Sequence, residues 1–263
     1  MIPLQRGTFV KGDYGVAFPL GDYVALLAGL RDKGYALGPV ARYFEGVEAP
    51  FVFLRHDVDR LPARAAAAAR AEHELGLCAT YYFRCDANQR FPEAAIREVA
   101  ALGHEVGFHY ETAVRVRGDV AALAELFAIE LAALRRIAEV KTIAAHGSPL
   151  SRHSNMDSAP LLNYRALGIV GDPREDFDFS KVMYITDTGG VFGSPNNRRD
   201  KVNGRQWATP TPPRALFGQL DPMHEPHVLL STHPERWATG AFGTLAASTL
   251  DAGINIAKRF AQR

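Results

Sequence analysis

Side chains able to bind a metal ion or move a proton recur at one position in this sequence, directly after apolar runs with a strand-like pattern. Asp57 and Asp59 close the run Phe51-Val-Phe-Leu-Arg-His-Asp-Val-Asp59. His109, with Glu111 just beyond it, closes the run from His104 to Tyr110; His146 follows Thr142 to Ala145, Asp187 follows Val182 to Thr186, and His233 follows His227 to Ser231. In an extended chain residues i and i+2 point the same way, so Arg55, Asp57 and Asp59 share one face and His56 takes the other. Two carboxylates side by side repel, so one gains a proton or both meet a cation. One Asp and two His around an open coordination position form a common hydrolytic metal set. The ion lowers the pKa of a water and polarises a carbonyl, while a nearby carboxylate takes a proton and a histidine returns it. Each residue also has a plainer role. The Asp residues suit the cap of the helix that follows, and a single His after a strand is often structural. The convergence of several such residues argues for chemistry.

The elements that must position these groups follow a regular rhythm. Helical spacing is expected over Asp22 to Lys33, Leu61 to Leu75, Pro92 to Leu102 and Asp119 to Glu139, with Pro near two of the starts and Gly at several ends. Strands are expected over 51–56, Cys78 to Cys85, His104 to Tyr110 and Thr142 to Ala145. Strand and helix alternating with short connections indicate parallel βαβ units, and in a closed parallel barrel the carboxyl ends of all strands meet on one face. Beyond residue 150 the expected elements are a helix over Leu161 to Leu167, a short strand over Gly168 to Val170, and a strand over Val182 to Thr186. A helix over Pro213 to Leu220, a strand over His227 to Ser231 and a helix over Phe242 to Phe260 complete the list. Residues 1–20 read as no firm element and 35–50 as a connector. The stretch 187–213, rich in Gly, Pro, Asn, Asp and Arg, is a long loop of the kind that is usually functional or disordered. The simplest organisation is one domain over 1–263: an N-terminal extension to residue 50, a core over 50–235, and a C-terminal helix from 240.

Composition bounds the class. Apolar residues make up 47% of the 263, enough for a buried core, and 30 basic against 29 acidic residues leave a formal charge of +1. That balance argues against general nucleic-acid or anionic-membrane binding, which needs a positive excess. No apolar run approaches the roughly 20 residues of a membrane span, and the N-terminus has no basic-then-apolar leader. Cys78 and Cys85 are an odd spacing apart in the expected strand, on opposite faces, and so are not expected to pair. A reducing, cytoplasmic setting is expected. Thr188-Gly-Gly-Val is not a phosphate loop, because it lacks the Lys and the following helix of that motif. His104 begins its strand, at the end away from the chemistry. Arg84, near the end of its strand, is open between holding substrate and pairing with a carboxylate.

The pattern resembles the polysaccharide deacetylase family, the NodB-homology domain of carbohydrate esterase family 4. Arg55-His-Asp-Val-Asp59 resembles its first motif, Gly103-His-Glu-Val-Gly-Phe-His109 its second, and Val228-Leu-Leu-Ser-Thr-His233 its last. The resemblance covers about residues 50 to 235, and the second motif is the most specific. It implies a distorted (β/α) barrel of about seven parallel strands, one divalent metal ion, most often zinc, and removal of acyl groups from amino sugars. Three departures stand out. Val58 separates Asp residues that are adjacent in the family. Ala113 occupies the position of the family's second metal histidine, and His146-Gly-Ser-Pro149 replaces its third motif.

The resemblance implies His109 as a metal ligand, His233 as the acid that protonates the leaving amine, and the Asp pair as base and ligand. Asp57 is read as general base and Asp59 as ligand, though the intervening Val58 leaves the exchanged assignment open, and His146 is inferred as the replacement ligand. Asp187 would orient His233. A backbone N–H near Tyr110 would stabilise the oxyanion, with Glu111, Arg55 and Arg84 around the site. Trp207, with Asn196, Asn197, Arg198 and Arg199 in the 187–213 loop, could cover a sugar, and the two arginines either hold a nucleotide or lipid diphosphate or, on the plainer account, belong to a solvated loop. The expected substrate is an N-acetyl or N-formyl amino sugar carried on a nucleotide or lipid, in bacterial surface-glycan and O-antigen pathways. The rival readings are a hydrolase of small cyclic amides or ureides on the same fold, and a carbohydrate-binding protein without activity, for which Ala113 is the main support.

Overall fold

The computed structural model describes residues 18–148, 151–197 and 199–238. The chain opens with β1 (Phe18–Pro19) and α1 (Leu20–Asp32), which buries Tyr23, Leu26, Leu27 and Leu30 along one face. Gly34, at φ 94°, follows its end, in the left-handed region that glycine enters without cost. β2 (Ala36–Pro39) and α2 (Ala41–Glu45) lead to β3 (Phe51–Val58), every residue of which is buried. α3 (Pro62–Glu74) starts on a proline and turns Ala65, Ala66, Ala68 and Ala69 inward. There follow β4 (Thr80–Phe83), α4 (Glu93–Ala101), β5 (Glu105–Tyr110) and the single turn α5 (Thr112–Arg115). The Asp119 side chain caps α6 (Val120–Arg135) by accepting from the N–H groups of Ala121 and Ala122. β6 (Val140–Ala145), α7 (Pro173–Asp176), β7 (Val182–Thr186), α8 (Pro213–Gln219), β8 (His227–Thr232) and β9 (Trp237–Ala238) complete the order.

Seven strands form one parallel sheet in the order β6-β5-β4-β3-β8-β7, with β2 on β3. β3 is held along its whole length. One edge pairs with β2 over Phe51 to Leu54 and then with β4 over Arg55 to Val58, while β8 lies along the other edge. The two faces of β3 enter different clusters. Phe51 and Phe53 pack with Tyr82, Ala144, Phe177, Phe179, Tyr184 and Leu229, whereas Val52, Leu54 and Val58 pack with the helix residues. Ala144 of β6 and Tyr184 of β7 come from the two ends of the sheet yet share one cluster, so the sheet curls around it. Among the described residues no strand pairing joins β6 to β7. Their outer edges take isolated bridges instead, Thr142 with Gly171 and Tyr184 with Gln206. Gly107 has a packing reason for lacking a side chain: a Cβ there would lie 2.3 Å from the Tyr82 ring.

Several expectations need correction. The 35–50 connector contains β2 and α2, and β2 belongs to the main sheet. The helix expected over 161–167 is two 3₁₀ turns, Ala159–Leu161 and Tyr164–Leu167, separated by the non-helical Leu162 and Asn163. The strand expected over 168–170 is reduced to the Gly171 bridge and a hydrogen bond from Val170 N to Lys141 O. Cys78 and Cys85 lie just outside β4 and are both free. The helix expected over 242–260 lies outside the described residues. Among those described, no helix is long and apolar enough to cross a membrane.

Candidate active site

Asp59 follows the last residue of β3, His109 lies in β5, and His146 follows β6. One ligand atom from each lies within 4.8 Å of the others, so the three could hold a metal ion. Asp59 Oδ1 is 3.3 Å from His109 Nε2 and 3.4 Å from His146 Nε2. The far side of each ring decides what faces Asp59. His109 Nδ1 is 2.9 Å from the carbonyl oxygen of Ala144, an atom that only accepts, so Nδ1 carries the proton and Nε2 a lone pair. His146 Nδ1 is 3.1 Å from the Glu111 carboxylate, with the same consequence. Asp59 Oδ1 is itself buried and has no hydrogen-bond partner. Two imidazole nitrogens and a carboxylate oxygen thus face one another, with Arg84 Nη1 3.3 Å from His146 Nε2, and a cation between the three would resolve their repulsion. The donor set, one carboxylate and two imidazoles each oriented from behind, fits zinc. Without a cation the same lone pairs compete for a proton. Burial alone would lower the proton affinity of His146, but Asp59 overrides it and pushes its pKa up to about 9. Burial would likewise raise Asp59, and the two histidines instead hold it well below the carboxylate range.

Asp57, on the inner face of β3, meets Arg55 two residues earlier in a bidentate pair, Nε to Oδ1 at 2.8 Å and Nη2 to Oδ2 at 2.9 Å. Both residues are almost fully buried, and the guanidinium also lies 5.3 Å from the centre of the Tyr82 ring. Burial would raise the Asp57 pKa, but Arg55 and then His109 more than offset it and keep the carboxylate ionised. Its Oδ2 is 3.8 Å from His109 Nε2, which puts it at the margin of the metal cluster.

Asp187 and His233 follow the neighbouring strands β7 and β8, which pair in register at Thr186 and Ser231. Asp187 Oδ1 is 2.6 Å from His233 Nδ1, and its Oδ2 accepts from the His233 backbone N–H at 3.1 Å. His233 Nε2 is then 4.0 Å from Asp59 Oδ2. Glu235, buried beside this pair and contacted by Arg60 at 3.3 Å, is pushed up to about 7 by burial and by Asp59.

Arg84 and Glu111 lie at the rim, joined by a 2.7 Å ion pair; of the two roles open to Arg84, the carboxylate pairing is the one formed. The Tyr110 side chain takes no part. It follows His109 in the strand and so points the other way, among Phe108 and Phe127, with its hydroxyl donating to Asp172 at 3.2 Å. Trp207 is half-buried against the outer core, and its indole N–H donates to Thr211. Arg199 donates to the carbonyl oxygens of Gly147, Ser148 and Ser151, so it ties down the loop after His146 and is not directed at a diphosphate. Arg198 lies outside the described residues. His56 faces the helices, where Glu72, Tyr23 and Thr232 hydrogen-bond to it. Sequence reasoning missed Ser148, Asn155 and Asp200. The last accepts from the hydroxyls of Tyr184, Thr186 and Thr188. Only Ser148, two residues after His146, carries any local signal. No protein-family model matches the chain, and no curated protein matches it.

Proposed function

We propose that this chain is a metal-dependent carbohydrate N-deacylase on a barrel-like scaffold. It would hydrolyse the N-acetyl or N-formyl group of an amino sugar, carried on a nucleotide or lipid, in the cytoplasmic stage of surface-glycan assembly. The observation that carries the reading is the convergence of three metal-ligand atoms, from Asp59, His109 and His146, beside an ionised Asp57 and an Asp187–His233 pair. Zinc held by those three residues would supply a Lewis acid for the acyl oxygen and lower the pKa of a water. The chain's own groups then divide the proton work. Asp57, kept anionic by Arg55, accepts a proton from the attacking water. Asp187 fixes the proton on Nδ1 of His233, which leaves Nε2 to deliver one to the departing amine. The amino-sugar class is supported by the resemblance of the three motifs, and the cytoplasmic setting by two free thiols.

The test is elemental analysis of the purified protein followed by assay of acetate or formate release from N-acetyl and N-formyl amino sugars. About one zinc or similar ion per chain, with release from such sugars and none from cyclic amides or ureides, supports the reading. A protein that takes up no zinc, cobalt or nickel refutes it.

A further inference from the structure

Resting on that reading and deepening it, we propose that Glu111, Ser148 and Asn155 are positioning residues that make His146 a metal ligand. They act through a hydrogen-bond chain whose direction is set by a single backbone N–H. The chain begins at Val114, in the first turn of α5, where a helix leaves N–H groups without internal partners. The Val114 N–H donates to Asn155 Oδ1 at 3.0 Å. A backbone N–H can only donate, so the amide oxygen of Asn155 is identified and its nitrogen must donate elsewhere. Asn155 Nδ2 donates to the His146 carbonyl oxygen and to Ser148 Oγ, both at 2.9 Å. The one hydroxyl proton of Ser148 goes to Glu111 Oε1 at 2.5 Å. His146 Nδ1 then faces two acceptors, Ser148 Oγ at 2.9 Å and Glu111 Oε1 at 3.1 Å, and must be the donor. The ring proton is fixed on Nδ1, and the Nε2 lone pair is left for the metal.

Arg84 braces the other carboxylate oxygen of Glu111 at 2.7 Å. Its Nη1 lies 3.3 Å from His146 Nε2 and 3.5 Å from Nδ1, so a metal ion at Nε2 would replace Arg84 as the partner of that nitrogen.

The position of His146 explains the need. His109 lies within a strand and takes its acceptor from a neighbouring strand carbonyl, Ala144 O. His146 lies past the end of β6, and a shaped loop provides the acceptor instead. Ser148 adopts φ 38°, in the left-handed region that a non-glycine residue enters at a cost, and is nevertheless buried. The turn that contains Ala113 thereby anchors, through Val114, the loop that bears the replacement ligand.

The experiment is Zn²⁺ binding to metal-stripped protein, measured by competition with a chromophoric chelator. It compares wild type, Glu111→Ala, Glu111→Gln and Ser148→Ala, with ¹⁵N NMR of the His146 ring in the zinc-loaded proteins. Glu111→Ala should weaken zinc binding by about 10- to 100-fold. Glu111→Gln should recover part of that loss, because its amide oxygen still accepts from Nδ1. The wild-type ring should read as ligated at Nε2, with an exchange-protected Nδ1 proton that loses its protection in Glu111→Ala, a change that a residue merely bracing the fold would not produce. If Glu111→Ala fails to fold, Ser148→Ala removes a single hydroxyl and should show a smaller loss of the same kind. Zinc affinity within about twofold of wild type in the variants, with Nδ1 protection unchanged, overturns this inference and leaves the metal centre standing. No zinc binding by wild type overturns both.

Discussion

Asp187 Oδ1 lies 2.6 Å from His233 Nδ1, and the opposite ring nitrogen lies 4.0 Å from Asp59 Oδ2, so one carboxylate decides which face of the imidazole meets the site. Burial alone would lower the His233 pKa, but Asp187, followed by Asp59, pushes it up to about 10. A group raised that far stays protonated through neutral pH, the state a proton donor needs. Removing the Asp187 charge lowers the value. The alkaline limb of kcat/KM should therefore lie at lower pH in Asp187→Asn than in wild type. His233→Ala should lose about 10²- to 10⁴-fold at neutral pH. Coincident alkaline limbs in wild type and Asp187→Asn would remove Asp187 from this role.

The Arg55–Asp57 pair makes a stability prediction that does not depend on the metal. Both side chains are almost entirely buried and bidentate. Removing one partner leaves a buried charge uncompensated, which typically costs about 3–5 kcal/mol. Arg55→Ala should lower the denaturation midpoint accordingly, and Arg55→Lys should rescue little, because an ammonium cannot make the two parallel bonds of a guanidinium. The double variant Arg55→Ala/Asp57→Ala should be less destabilised than the two single losses added. Additive losses would mean that the pair is not coupled.

The strand ends were the legible part of both fold and site. β3, β5, β7 and β8 announce themselves by short apolar runs with polar closures, and period-two alternation places Arg55 with Asp57 and sends His56 to the helices. The same alternation explains why Tyr110, next to His109, turns away from the cluster. β2 was not legible, because Ala-Leu-Gly-Pro has little strand character and becomes a strand by pairing with β3. Ser148 and Asn155 were hidden for a different reason. Their roles depend on how a loop folds back on α5, and no residue spacing reports that.

Metal should also stabilise the fold. An ion that binds the native chain and not the unfolded one adds about 2.7 kcal/mol at a free concentration of a hundred times Kd. The Tm of metal-stripped wild type should rise with added Zn²⁺ and fall again with chelator. Asp59→Asn, which keeps the shape of the side chain and removes its charge, should rise much less. Equal shifts in the two proteins would place the stabilising ion somewhere other than between Asp59, His109 and His146.

Asp172 gives a pH signature away from the cluster. It is fully buried, and it accepts from the Tyr110 hydroxyl at 3.2 Å and the Arg174 backbone N–H at 2.9 Å. Burial pushes its pKa up to about 7. A carboxyl raised in the fold favours the protonated native state, so its contribution is full below the unfolded value of about 4 and is lost as pH rises through the folded value. Asp172→Asn keeps an acceptor for the Arg174 N–H and cannot ionise. The variant's stability relative to wild type should therefore improve between pH 4 and pH 7, by an amount on the order of a few kcal/mol, and stay level above that range. Urea midpoints of both proteins across that window measure it. A difference that does not change with pH would mean that Asp172 stays ionised in the native state, held by Tyr110 and Arg174 against the cost of burial.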